Sequence, residues 1–390
     1  MNEKEKRIFF ALIKTAVAGV TLTDDEKADF CDEMLPKFYK LSKKHNIAHL
    51  IALGLELNDL DEGKSEYYKK FEKQKLIALY NQERVNYQFN EQCAVLEKNK
   101  IPFMPLKGSV IKAYYPESWM RTSCDIDILI YEKDLKRAIS ALKNELSYEG
   151  EGDEHYHNVS LFSPDGVHLE LHFSIKEAIK NIDTLLEKVW DYSEKKENSD
   201  FEFRQTNEFL IFHIIAHMYY HFLSGGCGIK AVIDLMLLNE KLTFNKKQVY
   251  EMCKQCKIER FYTEILKLID IWFKEGKHTE LTAFLEQFVF DGGVFGTTLN
   301  NTKIKNAYRN GRLSNFMQKV FLRKELMVPL YPILKKHYWL LPFCHAHRVL
   351  KKLFGGRGIE KTKKEIAKNK QITSDEIERI SFFLKELGIE

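Results

Sequence analysis

Cysteine is scarce and falls in no pairing pattern, with seven residues scattered over 390 positions. An odd, dispersed set excludes a disulfide framework and points to a reducing cytoplasm. Cys253-x-x-Cys256 has no second pair at zinc-finger spacing, and no HExxH metal motif is present. Uninterrupted apolar runs of membrane-spanning length are missing as well. The apolar stretch near the N-terminus is broken by Lys14 and lacks a cleavage site, so it reads as an amphipathic helix rather than a signal peptide. Net charge is only +4, and no broad basic stripe with interleaved aromatics calls for RNA, so nucleic acid is not indicated as a partner. Internal repeats and low-complexity tracts are not evident. What is there is ordinary for a soluble chain, 44% apolar and 30% charged, and long enough for two or three cores.

The chain is organised around Leu106–Ile130, LKGSVIKAYYPESWMRTSCDIDILI. An apolar strand, Ile101–Leu106, runs into Lys107-Gly108-Ser109 and then a short helical pattern that ends at Pro116. Glycine lets a bound group approach the backbone, and the amides at a helix start suit an anion. Alternation in CDIDILI predicts a strand with Ile126, Ile128 and Ile130 on one face and Asp125, Asp127 and Leu129 on the other. Two carboxylates two residues apart point the same way and repel unless a cation lies between them. Such a pair hints at Mg²⁺.

Gly-Ser at a helix start, followed by Asp-x-Asp on the next strand, resembles the signature of the nucleotidyltransferase superfamily typified by DNA polymerase beta. Lys107-Gly108, Tyr115-Pro116 and Arg121 resemble more narrowly a bacterial family called uncharacterised nucleotidyltransferases. The resemblance implies a nucleotide phosphate at Gly108-Ser109 and metal at the aspartates. It also implies a third carboxylate on a neighbouring strand. Val167–Phe173, VHLELHF, supplies one, with His168, Glu170 and His172 opposite an apolar face. The expected metal ligands and catalytic residues are therefore Asp125, Asp127 and Glu170, holding Mg²⁺ or Mn²⁺, with Glu170 also helping to deprotonate the acceptor. Lys107, Gly108, Ser109, Arg121 and Lys230 are the expected nucleotide-binding residues, with ATP the expected NTP and the acceptor unidentified. Taken singly, an Asp-x-Asp is commonly an edge-strand face, a Gly-Ser a turn, and His-x-Glu-x-His a solvated face. Their order, the intervening helix and the apolar alternation behind both acidic strands favour the joint reading. The alternative is a catalytically inactive nucleotide-binding or partner-binding module of the same fold.

The fold class expected is α+β, a small mixed sheet flanked by helical regions. Residues 1–98 read as an N-terminal helical region, 99–205 as the nucleotidyltransferase core, and 206–390 as a C-terminal helical region. In the first, helices are expected at Ala28–Lys43, at His49–Leu57 and from Glu66 to Asn99, with Thr23–Glu26 a cap signal. In the core, Ser163-Pro164-Asp165-Gly166 predicts a hairpin that sets His157 or Val159 beside the Glu170 strand, with the register left open, and Phe201–Arg204 one more strand. Beyond Asn207, His213, His217 and His221 share one helix face, and a buried or active-site surface is preferred to a zinc site. Lys230 and Asp234 are spaced either for an i,i+4 salt bridge or for a phosphate contact by Lys230. The Gly-, Asn- and Thr-rich stretch Phe288–Leu313 reads as a loop or partly mobile linker. Leu326–Leu353 reads as a helical pair, Lys361–Lys370 as a basic run, and Ser374–Leu387 as a last helix.

Overall fold

A small mixed sheet, covered by helices on both faces, positions everything that follows; the computed structural model describes residues 1–150, 157–294, 296–308, 327, 330–335, 337–354 and 372–389. Helix α1 (Glu3–Ala18) starts at a reciprocal cap between Asn2 and Glu5 and stops at Gly19, whose φ is 70°. Helix α2 (Asp24–Asp29) carries the expected Thr23–Glu26 capping box. The continuous helix expected over Ala28–Lys43 is split. Phe30 is extended, and α3 (Leu35–Lys44) restarts with Pro36 in its first turn. Proline is tolerated there, whereas inside a longer helix it would delete a hydrogen bond and clash. Helix α4 (Ala48–Glu56) crosses α1 at Gly54, where a Cβ would lie 2.2 Å from the Leu12 carbonyl oxygen. The long α5 (Tyr67–Lys98) then leads into the sheet.

Strand β1 (Phe103–Pro105), the short helix α6 (Gly108–Ile111), β2 (Asp125–Ile130), helix α7 (Leu135–Leu146), β3 (Asn158–Phe162) and β4 (His168–His172) follow in turn. The strand order is β1-β2-β4-β3, with β2 and β4 parallel and the outer pairs antiparallel. The β3–β4 turn closes where Gly166, at φ 80°, donates its amide to the Ser163 carbonyl oxygen. Its register sets Val159 beside the Glu170 strand as expected, opposite Leu171, and places Ser160 opposite Glu170. Alternation sends Ile126, Ile128, Ile130, Leu169 and Leu171 to a core shared with α5 and α7. The opposite face, through Met104, Leu106 and Leu129, joins a larger core. The extra strand lies at Phe203–Gln205 (β6), pairs with β5 (Ser193–Lys195) after α8 (Lys180–Leu186), and touches the main sheet through one bridge, Glu202 to Phe103.

That larger core unites α1, α3 and α4 with α9 (Asn207–Leu223), α10 (Ile229–Lys241), α11 (Lys246–Gln255), α12 (Glu259–Phe273) and α13 (Glu280–Gly292). The loop expected over Phe288–Leu313 is only partly one. α13 runs to Gly292, and α14 (Thr298–Tyr308) starts where Thr297 Oγ1 accepts the Asn300 amide and buries Ile304 and Ala307. The glycines there serve close packing, since a Cβ on Gly226 would lie 2.5 Å from Gly296 Cα and 2.8 Å from Gly292 Cα. In Leu326–Leu353 the described residues hold helical backbone at Met327, short turns at Pro332–Lys335 and Tyr338–Leu340, and helix α15 (Leu341–Phe354). Pro342 sits in its first turn, the one helical place a proline fits. The Lys361–Lys370 run lies outside the described residues. Helix α16 (Ser374–Glu386) is capped by Thr373. Among the described residues no helix is long and apolar enough to cross a membrane.

Candidate active site

Parallel pairing of β2 with β4 sets Asp125 opposite His168 and Asp127 opposite Glu170, with Leu129 opposite His172. Because side chains alternate along each strand, these residues stand on one face, toward α9 and α10. Asp127 is 5% exposed, and its Oδ1 lies 3.1 Å from Lys107 Nζ and 2.8 Å from His172 Nε2. His172 Nε2 is also 3.3 Å from Glu170 Oε2, which accepts Asn158 Nδ2 at 2.9 Å. Ser123 Oγ donates to Asp125 Oδ1 at 3.1 Å. Lys107 reaches Asp127 from a backbone with φ 46°, a strained conformation for a residue with a Cβ.

Burial raises the cost of ionising Asp127, but Lys107 and His172 outweigh it and hold this carboxyl below its ordinary range. Burial, and then the charge on Asp127, push Asp125 upward. His172 donates to Glu170 and lowers it. Burial likewise opposes charge on Lys107 and His172, yet Asp127 and its acidic neighbours raise both. Carboxylates thus crowd around a lysine and an imidazole supplied by the chain itself.

Two overlapping donor groups, Asp125–His168–Glu170 and Asp127–Glu170–His172, each bring their ligand atoms within 4.8 Å of one another. Lys107 Nζ already offsets charge on Asp127, and the donors are hard carboxylate oxygens joined by imidazole nitrogen. That set fits a divalent ion such as Mg²⁺ or Mn²⁺. His168 and His172 were legible only as neighbours of Glu170, and nothing in the spacing marked them as donors.

A cavity of about 430 Å³ opens over this face. Lys107, Gly108, Arg121, Asp125, Asp127, Glu170 and Lys230 line it, and Ser109 does not. The Ser109 amide is already bonded to the Leu106 carbonyl oxygen at 3.1 Å. A Cβ on Gly108 would sit 3.1 Å from Ser123 Oγ and 3.5 Å from Arg121 Nη1, so glycine keeps the floor low. Arg121 Nε donates to both Asp234 oxygens, at 2.7 and 2.9 Å, and Tyr115 donates its hydroxyl to the same carboxylate at 2.7 Å. Asp234 therefore pairs with Arg121 rather than with Lys230. Lys230 Nζ donates instead to the Thr122 carbonyl oxygen at 3.1 Å, which Arg121 Nη1 also reaches at 2.8 Å. Burial, and then Arg121, pull Lys230 down to about 8. Helix α4 braces this segment from the N-terminal side, with His49 Nε2 2.8 Å from the Met120 carbonyl oxygen.

The family model described as "Uncharacterised nucleotidyltransferase" matches residues 33–274, more than half of the chain. The chain belongs to the uncharacterised nucleotidyltransferase family. No curated protein and no solved structure matches it significantly. Membership in a nucleotidyltransferase family implies an NTP as substrate and a general transferase role, and such enzymes generally use divalent metals. The match spans α3 through α12, so it takes in β2, β4, the Gly108 corner and the histidine-bearing α9 together.

Histidines on α9 close the far side of the cavity. His213 is fully buried beside Gln205, His217 Nδ1 lies 2.6 Å from Glu177 Oε1, and His221 Nε2 lies 3.0 Å from His217 Nε2. Burial drives all three to about 3, helped by Lys107 and, at His213 and His221, by His217, so their rings are neutral. Glu177 carried no sequence signal. It comes from the irregular segment after β4, where no period exposes which way a side chain turns.

Proposed function

We propose that this nucleotidyltransferase moves an NMP from an NTP, with ATP the expected donor, to an acceptor in the cytoplasm, with Mg²⁺ or Mn²⁺ bound. The observation that carries the reading is the β2–β4 register, which gathers acidic side chains from two strands beside Lys107 and the Gly108 corner. Asp125, Asp127 and Glu170 would hold the metal, joined by His168 and His172. When bound, a divalent ion there would offset charge on the phosphates and on departing pyrophosphate.

The chain's own groups would do the rest. Lys107 would move from Asp127 to the triphosphate once the carboxylates have a cation of their own. The Gly108 amide would meet a phosphate oxygen at the floor of the cavity. Ser109, whose amide is taken, would serve the corner's shape. Lys230 would bring a charge to the phosphates, while Arg121, committed to Asp234, would hold Lys230 and Thr122 in position.

The test is incubation with each α-labelled NTP and Mg²⁺ or Mn²⁺, following pyrophosphate release and label transfer. Asp125→Asn and Asp127→Asn should each lower turnover at least about 100-fold, the several kcal/mol that metal stabilisation supplies. Turnover unchanged in both variants would refute the reading. Retention of label without transfer in the native chain would instead indicate a binding module.

A further inference from the structure

The side of the cavity facing the acidic strands carries a second constellation that metal and phosphate binding do not use. Glu177 sits between β4 and α8 on a segment whose next residue, Ala178, has φ 60°, a left-handed conformation unusual for alanine. The Glu177 amide is pinned by Asp183 Oδ1 at 2.8 Å. So held, its carboxylate meets His217 Nδ1 at 2.6 Å, and both side chains line the same cavity as Asp125, Asp127 and Glu170. A carboxylate on Nδ1 fixes the tautomer, leaving the lone pair of His217 on Nε2. His221 Nε2 lies 3.0 Å from that nitrogen and marks where a donor hydrogen fits.

Charge is short on this side. The cations lining the cavity among the described residues are Lys107, Arg121, Lys176 and Lys230, and the first three pair with Asp127, Asp234 and Glu187. A triphosphate already asks more of them than they have to give. A second phosphate as acceptor would enter a cavity with carboxylates to spare and no cation assigned to it. A neutral hydroxyl needs no cation, but it needs a base.

We infer that the acceptor is a neutral hydroxyl compound and that His217, oriented by Glu177, takes its proton. This rests on the nucleotidyl-transfer reading above. In the step, the acceptor O–H takes the place of His221 on His217 Nε2 and its proton passes to that nitrogen. The freed oxygen pair forms the new bond to the α-phosphorus. The bond from that phosphorus to the bridging oxygen breaks, and pyrophosphate leaves with its electron pair. His217 then returns the proton to solvent. Incoming phosphates offset Lys107, one of the charges that weaken His217 as a base. Glu177 is a positioning residue that acts through His217.

The full-length chain is given α-labelled NTP and Mn²⁺ with either molar glycerol, a hydroxyl probe, or inorganic phosphate, an acceptor already ionised. The native chain should label glycerol in preference to phosphate. His217→Gln should lower glycerol labelling about 100- to 10,000-fold, the usual share of general-base catalysis, with NTP affinity kept. Glu177→Gln should lower kcat with KM for NTP unchanged, and Glu177→Asp should recover part of it. His217→Ala with added imidazole covers the case in which the glutamine variant folds poorly, and regained labelling supports the base role. Undiminished glycerol labelling by His217→Gln, or a native preference for phosphate, overturns the inference while leaving nucleotidyl transfer standing. Failure of the native chain to bind NTP or to release pyrophosphate overturns both.

Discussion

Asp234→Asn tests the electrostatic frame beneath the cavity. Asp234 is 2% exposed and Arg121 9%, and they meet at 2.7 and 2.9 Å with Tyr115 on the same carboxylate at 2.7 Å. Asparagine keeps the shape and removes the charge. The Arg121 guanidinium then stays buried with no counter-ion. Lys230 converges with it on the Thr122 carbonyl oxygen, so two cations face each other without the carboxylate that separated their charge. Breaking a buried pair by removing one partner costs about 3–5 kcal/mol. With a urea slope of roughly 3 kcal/mol per molar, the denaturation midpoint should fall by about 1–2 M. Replacing both charges, as in Arg121→Met with Asp234→Leu and Tyr115→Phe to spare the orphaned hydroxyl, should cost less than Asp234→Asn alone. If Asp234→Asn unfolds within about 0.5 kcal/mol of the native chain, or the triple variant is the worse of the two, the pair is not the compensated buried ion pair described here.

Two further outcomes follow from packing and burial. Gly54→Ala should cost about 1–3 kcal/mol or more in thermal or urea unfolding, because its Cβ would meet the Leu12 backbone, which cannot step aside without moving α1. Stability should fall as pH drops from 6.5 toward 3. His213 is fully buried, and burial holds it at about 3 in the folded chain. The unfolded chain therefore binds a proton in that window while the folded one does not. Each pH unit then removes up to about 1.4 kcal/mol per such histidine. His213→Gln should flatten the slope of midpoint against pH between 6 and 4, and an unchanged slope would show that His213 does not titrate between the two states.

Local chemistry made much of the site legible from sequence. The CDIDILI alternation, the Lys107-Gly108-Ser109 break, the Ser163–Gly166 turn and the caps at Thr23 and Thr373 each follow from residues within a few positions of one another. Such signals state their own secondary structure, and the faces of β2 and β4 fell as their alternation required. Prediction faltered where composition suggested mobility. The glycines of 288–313 read as a loop in sequence because close backbone packing against Gly225 and Gly226 leaves no trace there.

What the chain of letters determined by itself was which residue types could bear the chemistry and which strand face each would occupy. Only the tertiary structure decided what they meet. Parallel pairing of β2 with β4, across 45 residues from Asp127 to His172, made neighbours of acids and imidazoles. Folding of α10 under the Gly108 corner gave Asp234 to Arg121, 113 residues away, and left Lys230 to a carbonyl oxygen. The physical reason is that periodicity fixes direction within one element, whereas partnership depends on which elements bury their apolar faces together.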